Sequence, residues 1–158
     1  MHGASCLTTA IRIVLALAAM SIDTAAAPAT DRIATAEKAA IVSVAMPPRT
    51  SAPTYLDVRI SAFRLPERGA VEAVVTLGAA SGDAIEIGRF TVFPGEPFTA
   101  KDGEPGRTYR FNVTAALAKL PAGERPLLVR VRLLPIDPAI SPAGAEMTIG
   151  GAEFRSGA

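Results

Sequence analysis

The sequence predicts an all-β domain, an antiparallel β-sandwich of jelly-roll-like type with one short helix. Beyond position 40, apolar and polar residues alternate in several short runs, as in strands with one buried and one wet face. Turn residues stand between the runs, drawn from 13 Gly and 13 Pro. The length of 158 residues fits one domain with a short extension. Apolar residues make up 49%, too many for a chain disordered by composition.

The extension comes first. Arg12 precedes an apolar run, Ile13 to Ile22, interrupted only by Ser21. The run has the length of a signal-peptide core and is too short to span a bilayer. Small residues follow, and cleavage after Ala26 uses Thr24 and Ala26 and avoids leaving Pro28 as the first residue. Residues 1–26 are therefore expected to be a signal peptide, the alternative being an uncleaved N-terminal anchor. Cys6 lies ahead of the apolar run, so it is not placed as a lipobox cysteine. With 13 Arg against 3 Lys, and abundant Ala, Gly and Pro, the composition suggests a GC-rich bacterial genome. The expected location is periplasmic or secreted, with no membrane association after cleavage.

Cleavage there removes His2 and Cys6, the only His and the only Cys. A mature chain without either has no Ser-His-Asp triad, no Cys-His pair, no thiolate or imidazole metal site and no disulfide. No cofactor or metal is expected, and the chain is read as non-enzymatic. Lys plus Arg is 16 and Asp plus Glu is 15, a balance that gives no reason to expect nucleic acid as partner.

Residues 27–40 are small and polar, and read as a flexible leader with a short helix capped by Thr30 or Asp31. The sandwich domain is expected over 41–155. Ile41, Val42 and Val44 open it and end at Pro47-Pro48. Leu56, Val58, Ile60 and Ala62 alternate with Asp57, Arg59, Ser61 and Phe63 as a half-buried strand. Val71, Ala73, Val75 and Leu77 form the next, after a turn at Pro66 to Gly69. Ser81-Gly82-Asp83 tips the following turn. Ile85, Ile87, Phe90 and Val92 change phase across Gly88, which marks a bulge. Residues 94–107 form the longest loop between strands, a usual seat of function. Tyr109, Phe111 and Val113 precede a helix over Ala115 to Leu120, capped by Thr114 and stopped by Pro121. Leu127, Val129, Val131 and Leu133 alternate with Arg130 and Arg132. A last strand pair, Glu146 to Ile149 and Ala152 to Phe154, turns at Gly150-Gly151.

Four stretches carry a resemblance. They are Ile87 to Pro94 (IGRFTVFP), Arg110 to Leu117 (RFNVTAAL), Leu128 to Pro135 (LVRVRLLP) and Met147 to Gly151 (MTIGG). In order and wording, residues 41–155 resemble the C-terminal domain of plant polyphenol oxidases and related bacterial tyrosinases. The opening Ile41 to Val44, followed by a Pro-Arg loop, fits the same pattern. The resemblance implies a β-sandwich that packs over a copper domain and shields its active site until activation. The copper domain, with its six histidine ligands, has no counterpart here. The chain thus resembles the shielding domain as a stand-alone exported protein, with a separately encoded tyrosinase-like copper oxidase as its expected partner. It departs from the histidine-rich caddie proteins that deliver copper to some bacterial tyrosinases.

Phe98, in the long loop, is the candidate partner-binding residue, a plug for a partner's active-site mouth; otherwise it caps its own sandwich. Met46 and Met147 would bind Cu(I) only if they met in space, and core packing is the simpler role. Asp57 with Arg59, or Glu72 with Glu86, would make a polar binding face or the wet side of a sheet. A Glu pair could serve glycoside hydrolysis, but no sugar-stacking aromatic platform accompanies it. Asn112-Val113-Thr114 matches a glycosylation sequon and equally a cap followed by a core residue. Arg130 and Arg132 do not by themselves make a patch. The function classes left are an accessory shielding domain, a stand-alone cell-envelope binding or scaffold module, and an enzyme using carboxylates or Ser and Tyr alone.

Overall fold

The computed structural model describes residues 31–48, 51–80, 82–92, 95–101, 104, 106–120 and 126–157. The expected signal peptide, the tip residue Ser81 and the helix stop Pro121 lie outside them.

Among the described residues, nine strands and one helix follow in chain order. They are β1 (Ile33–Thr35), β2 (Ala40–Val44), β3 (Thr54–Arg64), β4 (Val71–Ala79), β5 (Ile85–Phe90), β6 (Phe98–Thr99), β7 (Arg107–Asn112), α1 (Thr114–Lys119), β8 (Leu127–Pro135) and β9 (Glu146–Ser156). Every pairing is antiparallel, and one set of the pairs is nested. β4 and β5 form the innermost hairpin, β3 takes β6 and β7, β2 takes β8, and β1 takes β9. Rolled into two layers, this nest gives one sheet in the order β1-β9-β3, with β6 and β7 both on the far side of β3. The other sheet is β2-β8-β4-β5. This is the jelly-roll form of an all-β sandwich, as the alternating runs predict.

Period two puts one face of each strand inside. Leu56, Val58 and Ile60 of β3, with Ile149 of the neighbouring β9, face Val75 and Leu77 of β4 and Val129 and Val131 of β8, all fully buried. At about 25 cal/mol per Å² of apolar surface, this shared core holds the layers together without any cross-link.

The two sides of the sandwich close differently. At one, Phe90 of β5 stacks on Tyr109 of β7, with centroids 3.8 Å apart and planes at 25°. Phe111 adds a tilted ring 6.1 Å from Phe90. β5 bulges here, because Ile87 has no partner between the pairs Val75–Gly88 and Thr76–Glu86. The bulge expected from the phase shift at Gly88 is thus present. Gly88 is required for close approach, since a Cβ there would lie 2.6 Å from the Phe111 ring. At the other side, β2 and β9 face each other across a groove.

Several local expectations are corrected. Ile33–Thr35 is a strand on β9, so the described part of the 27–40 leader is neither loose nor helical, and the sandwich begins before residue 41. The Asp31 carboxylate accepts the Ile33 N–H at 3.2 Å and pairs with Lys38; it serves an extended turn instead of a helix cap. Glu146 to Phe154 is no hairpin. It belongs to one strand, because β3 offers eleven residues of ladder and Gly150 is absorbed as a bulge between Arg59 and Ile60. A second irregularity at Ser61 restores the register. Thr114 is the first helical residue, not the cap. Val113 occupies the cap position, and the Thr114 hydroxyl instead accepts the Thr54 N–H at 2.9 Å. The 94–107 segment is not loop throughout, since Phe98–Thr99 pairs with β3. The strand predicted to reach Val92 ends at Phe90.

Candidate functional site

The outer face of β3 carries Tyr55, Asp57 and Arg59, because their neighbours Leu56, Val58 and Ile60 are drawn into the core. The register brings other polar residues beside them. Arg110 of β7 stands opposite Asp57 on one side and Glu153 of β9 on the other, while Arg155 is opposite Tyr55. Arg110 clamps Asp57 through two bonds, from Nε at 2.7 Å and Nη2 at 2.8 Å. That hydrogen-bonded guanidinium holds the Asp57 carboxyl below the usual carboxylate range, against a smaller opposing effect of burial. Arg110 is raised in turn. Asp57 is therefore an anion at neutral pH with one Arg110 bond on each carboxylate oxygen, which suits positioning.

Arg59 has a different setting. It projects over the Gly150-Gly151 bulge, where a Cβ on Gly151 would come within 3.1 Å of its Nη2. Among the described residues no carboxylate pairs with it. Arg32 reaches the same place and donates from Nη1 to the Gly150 carbonyl at 2.8 Å. Arg155 bonds Glu153 at 2.5 Å. These side chains line one end of the groove between β2 and β9, a cavity of about 440 Å³ that includes Ser43 and Thr108. The groove continues past Ser43, Ala152 and Glu153 into a less polar end of about 430 Å³, walled by Met46, Pro47 and Phe154.

Backbone groups also face this groove. The Ile149 N–H donates to the Arg32 carbonyl at 2.8 Å, and the Gly157 N–H donates to the Pro53 carbonyl at 2.7 Å. Alternation between these points, with Gly150 absorbed in the bulge, turns the N–H and C=O of Gly151, Glu153 and Arg155 toward β3. Those of Ala152 and Phe154 point away from it. β1 covers β9 only at Glu146, Met147 and Thr148, so on the side turned away from β3 no strand among the described residues pairs with this later stretch. Across the groove, the Ile41 N–H donates to the Asp31 carbonyl at 2.5 Å, which fixes the parity that turns Ser43 toward the groove. Asp31 and Arg32 thus bridge the two sheet edges, and the gap opens beyond them.

The residues singled out from the sequence fall into distinct places. Asp57 and Arg59 belong to the groove and its rim. Glu72 and Glu86 share Arg89 on the outer face of the other sheet, at 2.7 and 2.8 Å. The Arg89 bonds hold Glu86 below its ordinary range. Phe98 is half-buried opposite Phe63, packs against the core and carries the Arg107 guanidinium 4.1 Å above its ring centre. Its ring therefore caps its own sandwich. Met147 is 1% exposed in the core. Met46 packs at the groove wall beside the other end of β9. The Asn112 side chain accepts the Thr114 N–H at 3.1 Å from one residue ahead of the cap position, which Val113 holds without a side-chain cap bond, and Val113 is fully buried in the core role. Arg130 and Arg132 stand across from Thr76 and Val74 on the second sheet.

Arg32, Ser43 and Arg155 were not singled out from the sequence. Arg32 was assigned to a leader, and Arg155 lay beyond the last predicted strand. The usable signal was the Gly150-Gly151 pair, read as a turn but serving as a bulge that admits the Arg59 side chain. Among the described residues no three His, Cys, Asp or Glu side chains gather as a metal site. Comparison of the chain with protein-family models, curated proteins and solved structures returns no match.

Proposed function

We propose that this chain is a non-catalytic exported accessory domain that acts by covering a protein partner, and that the partner is a tyrosinase-like copper oxidase. One observation carries the reading. The described parts of the four stretches with the polyphenol-oxidase-like wording fall in order on β5 and the two residues after it, the β7-to-α1 junction, β8 and β9, which supports a likeness along the sandwich framework. The charged groups at the candidate site support a binding role, since the Asp57 carboxylate is engaged by an arginine and held ionised. A second reading, a stand-alone cell-envelope binding module, is favoured by the arginine-rimmed groove.

Capture from the exported fraction of the source cell, with the full chain tagged at its C-terminus, separates the two. The accessory reading expects a copper oxidase among the captured proteins, and a fall in its activity as purified chain is added. Absence of any copper protein, even after crosslinking, would leave the resemblance at the level of fold. Phe98→Ala is expected to leave the inhibition in place, because that ring is engaged by Arg107 and the core. Loss of inhibition in a folded Phe98→Ala chain would restore the plug.

A further inference from the structure

We propose that the groove between β2 and the later half of β9 takes an extended, carboxylate-bearing segment of a partner protein as an added strand. The inference rests on the reading of the chain as a protein-binding module, and not on which protein the partner is.

The backbone supplies the first argument. Ala152 and Phe154 turn N–H and C=O groups toward the groove, and Ser43 does so from the opposite wall. Edge groups without a partner among the described residues are satisfied by an added strand, whose side chains then point alternately to either face. Charge supplies the second. Asp57 is taken by Arg110 and Glu153 by Arg155, which leaves Arg59 as a cation without a carboxylate among the described residues. Arg32 adds a second guanidinium, anchored through one nitrogen only. A carboxylate arriving here meets a planar donor suited to two parallel bonds. The chemistry of the far end supplies the third, because Met46, Pro47 and Phe154 offer contact to apolar side chains.

Other occupants fit less well. The residues preceding Asp31 contain a single acid, Asp23, and Pro28 has no N–H to give. A second copy pairing through the same edge would set the Arg59 and Arg155 side chains of both copies close together, a like-charge arrangement.

The test uses isotope-labelled full chain and two synthetic peptides of about eight residues, a common strand length. Both alternate valine and threonine; one carries two glutamates and the other two lysines at the same places. The glutamate peptide is expected to shift the amide resonances of Ser43, Ala152 and Phe154 and slow their hydrogen exchange. It should bind about tenfold more tightly than the lysine peptide, and Arg59→Gln should weaken it about fivefold. Methylating alternate peptide nitrogens of the probe should abolish binding. Equal binding of both peptides, no shift with the glutamate peptide, or full affinity in Arg59→Gln overturns the proposal. Strong protection of these amides without peptide would identify the chain's own upstream segment or, if the chain sediments as a dimer, a second copy. Shifts from polygalacturonate but not from the glutamate peptide would identify a saccharide site. Oxidase capture without peptide binding sinks this inference alone, and peptide binding without oxidase capture sinks the oxidase reading alone.

Discussion

The two sides of the sandwich solve the same problem in opposite ways. Between β5 and β7 the layers are sealed by three aromatic rings packed over a bulge. Between β2 and β9 they are tied by two backbone bonds from Asp31 and Arg32, after which a groove opens with polar and charged walls. A sealed side uses packing, which is sensitive to volume. An open side uses hydrogen bonds and charges that water can largely replace. Substitutions at the aromatic side should therefore act on stability, and those at the groove mainly on recognition.

The largest effect is expected at the aromatic side. Phe90→Ala removes a ring stacked on Tyr109 and tilted against Phe111, and should cost about 2–3 kcal/mol in urea unfolding, toward the low end because the residue is half-buried. Gly88→Ala tests the same packing from the opposite direction. The added methyl meets the Phe111 ring at 2.6 and 2.8 Å, so ring or strand must shift, at a cost of about 1–3 kcal/mol. A thermal or urea midpoint unchanged by either substitution would mean that this side is no tighter than the groove.

Asp57→Asn should have an intermediate effect, because it breaks a two-bond ion pair whose carboxylate side chain is 9% exposed and whose guanidinium is 60% exposed. Solvent screening of the arginine reduces the expected loss to about 1–2 kcal/mol near neutral pH. The sign with pH follows from the lowered carboxyl. The unfolded chain binds the proton more readily than the folded one, so the stabilisation is complete above about pH 4. It fades as pH falls through the folded value. The stability difference between wild type and Asp57→Asn should therefore shrink toward zero in acid. A difference independent of pH would mean that the pair contributes through packing alone.

Legibility in the sequence follows the same division. The sealed core declared itself, because burial of one face imposes alternation, and Leu56 to Ile60, Val71 to Leu77 and Leu127 to Leu133 show it plainly. The bulge at Gly88 was legible because a phase shift is a local event. The groove was half legible. Asp57 and Arg59 stood out as period-two charges, yet the charges around Asp57, at Arg110, Glu153 and Arg155, are brought near only by strand pairing across the whole chain. Ile33–Thr35 was missed because three residues are too few to establish a period. Gly150-Gly151 was misread because a turn and a bulge use the same residue for the same reason, freedom from a Cβ.

Arg59→Gln is the smallest stability change and the sharpest test of the contrast. The side chain is exposed and pairs with no carboxylate among the described residues, so its removal breaks no bond that the fold depends on. Glutamine keeps a stem of similar shape over Gly151 and removes the charge. The urea midpoint should correspond to wild type within about 0.5 kcal/mol. Binding of the glutamate peptide, measured on the same sample, should still fall. A charge kept over a groove without stabilising the fold is what a recognition surface looks like energetically. If the midpoint instead drops by more than about 1 kcal/mol, Arg59 belongs to the internal network of Asp57, Arg110 and Arg155. The open side would then be a second structural seam, made of charges where the first is made of rings.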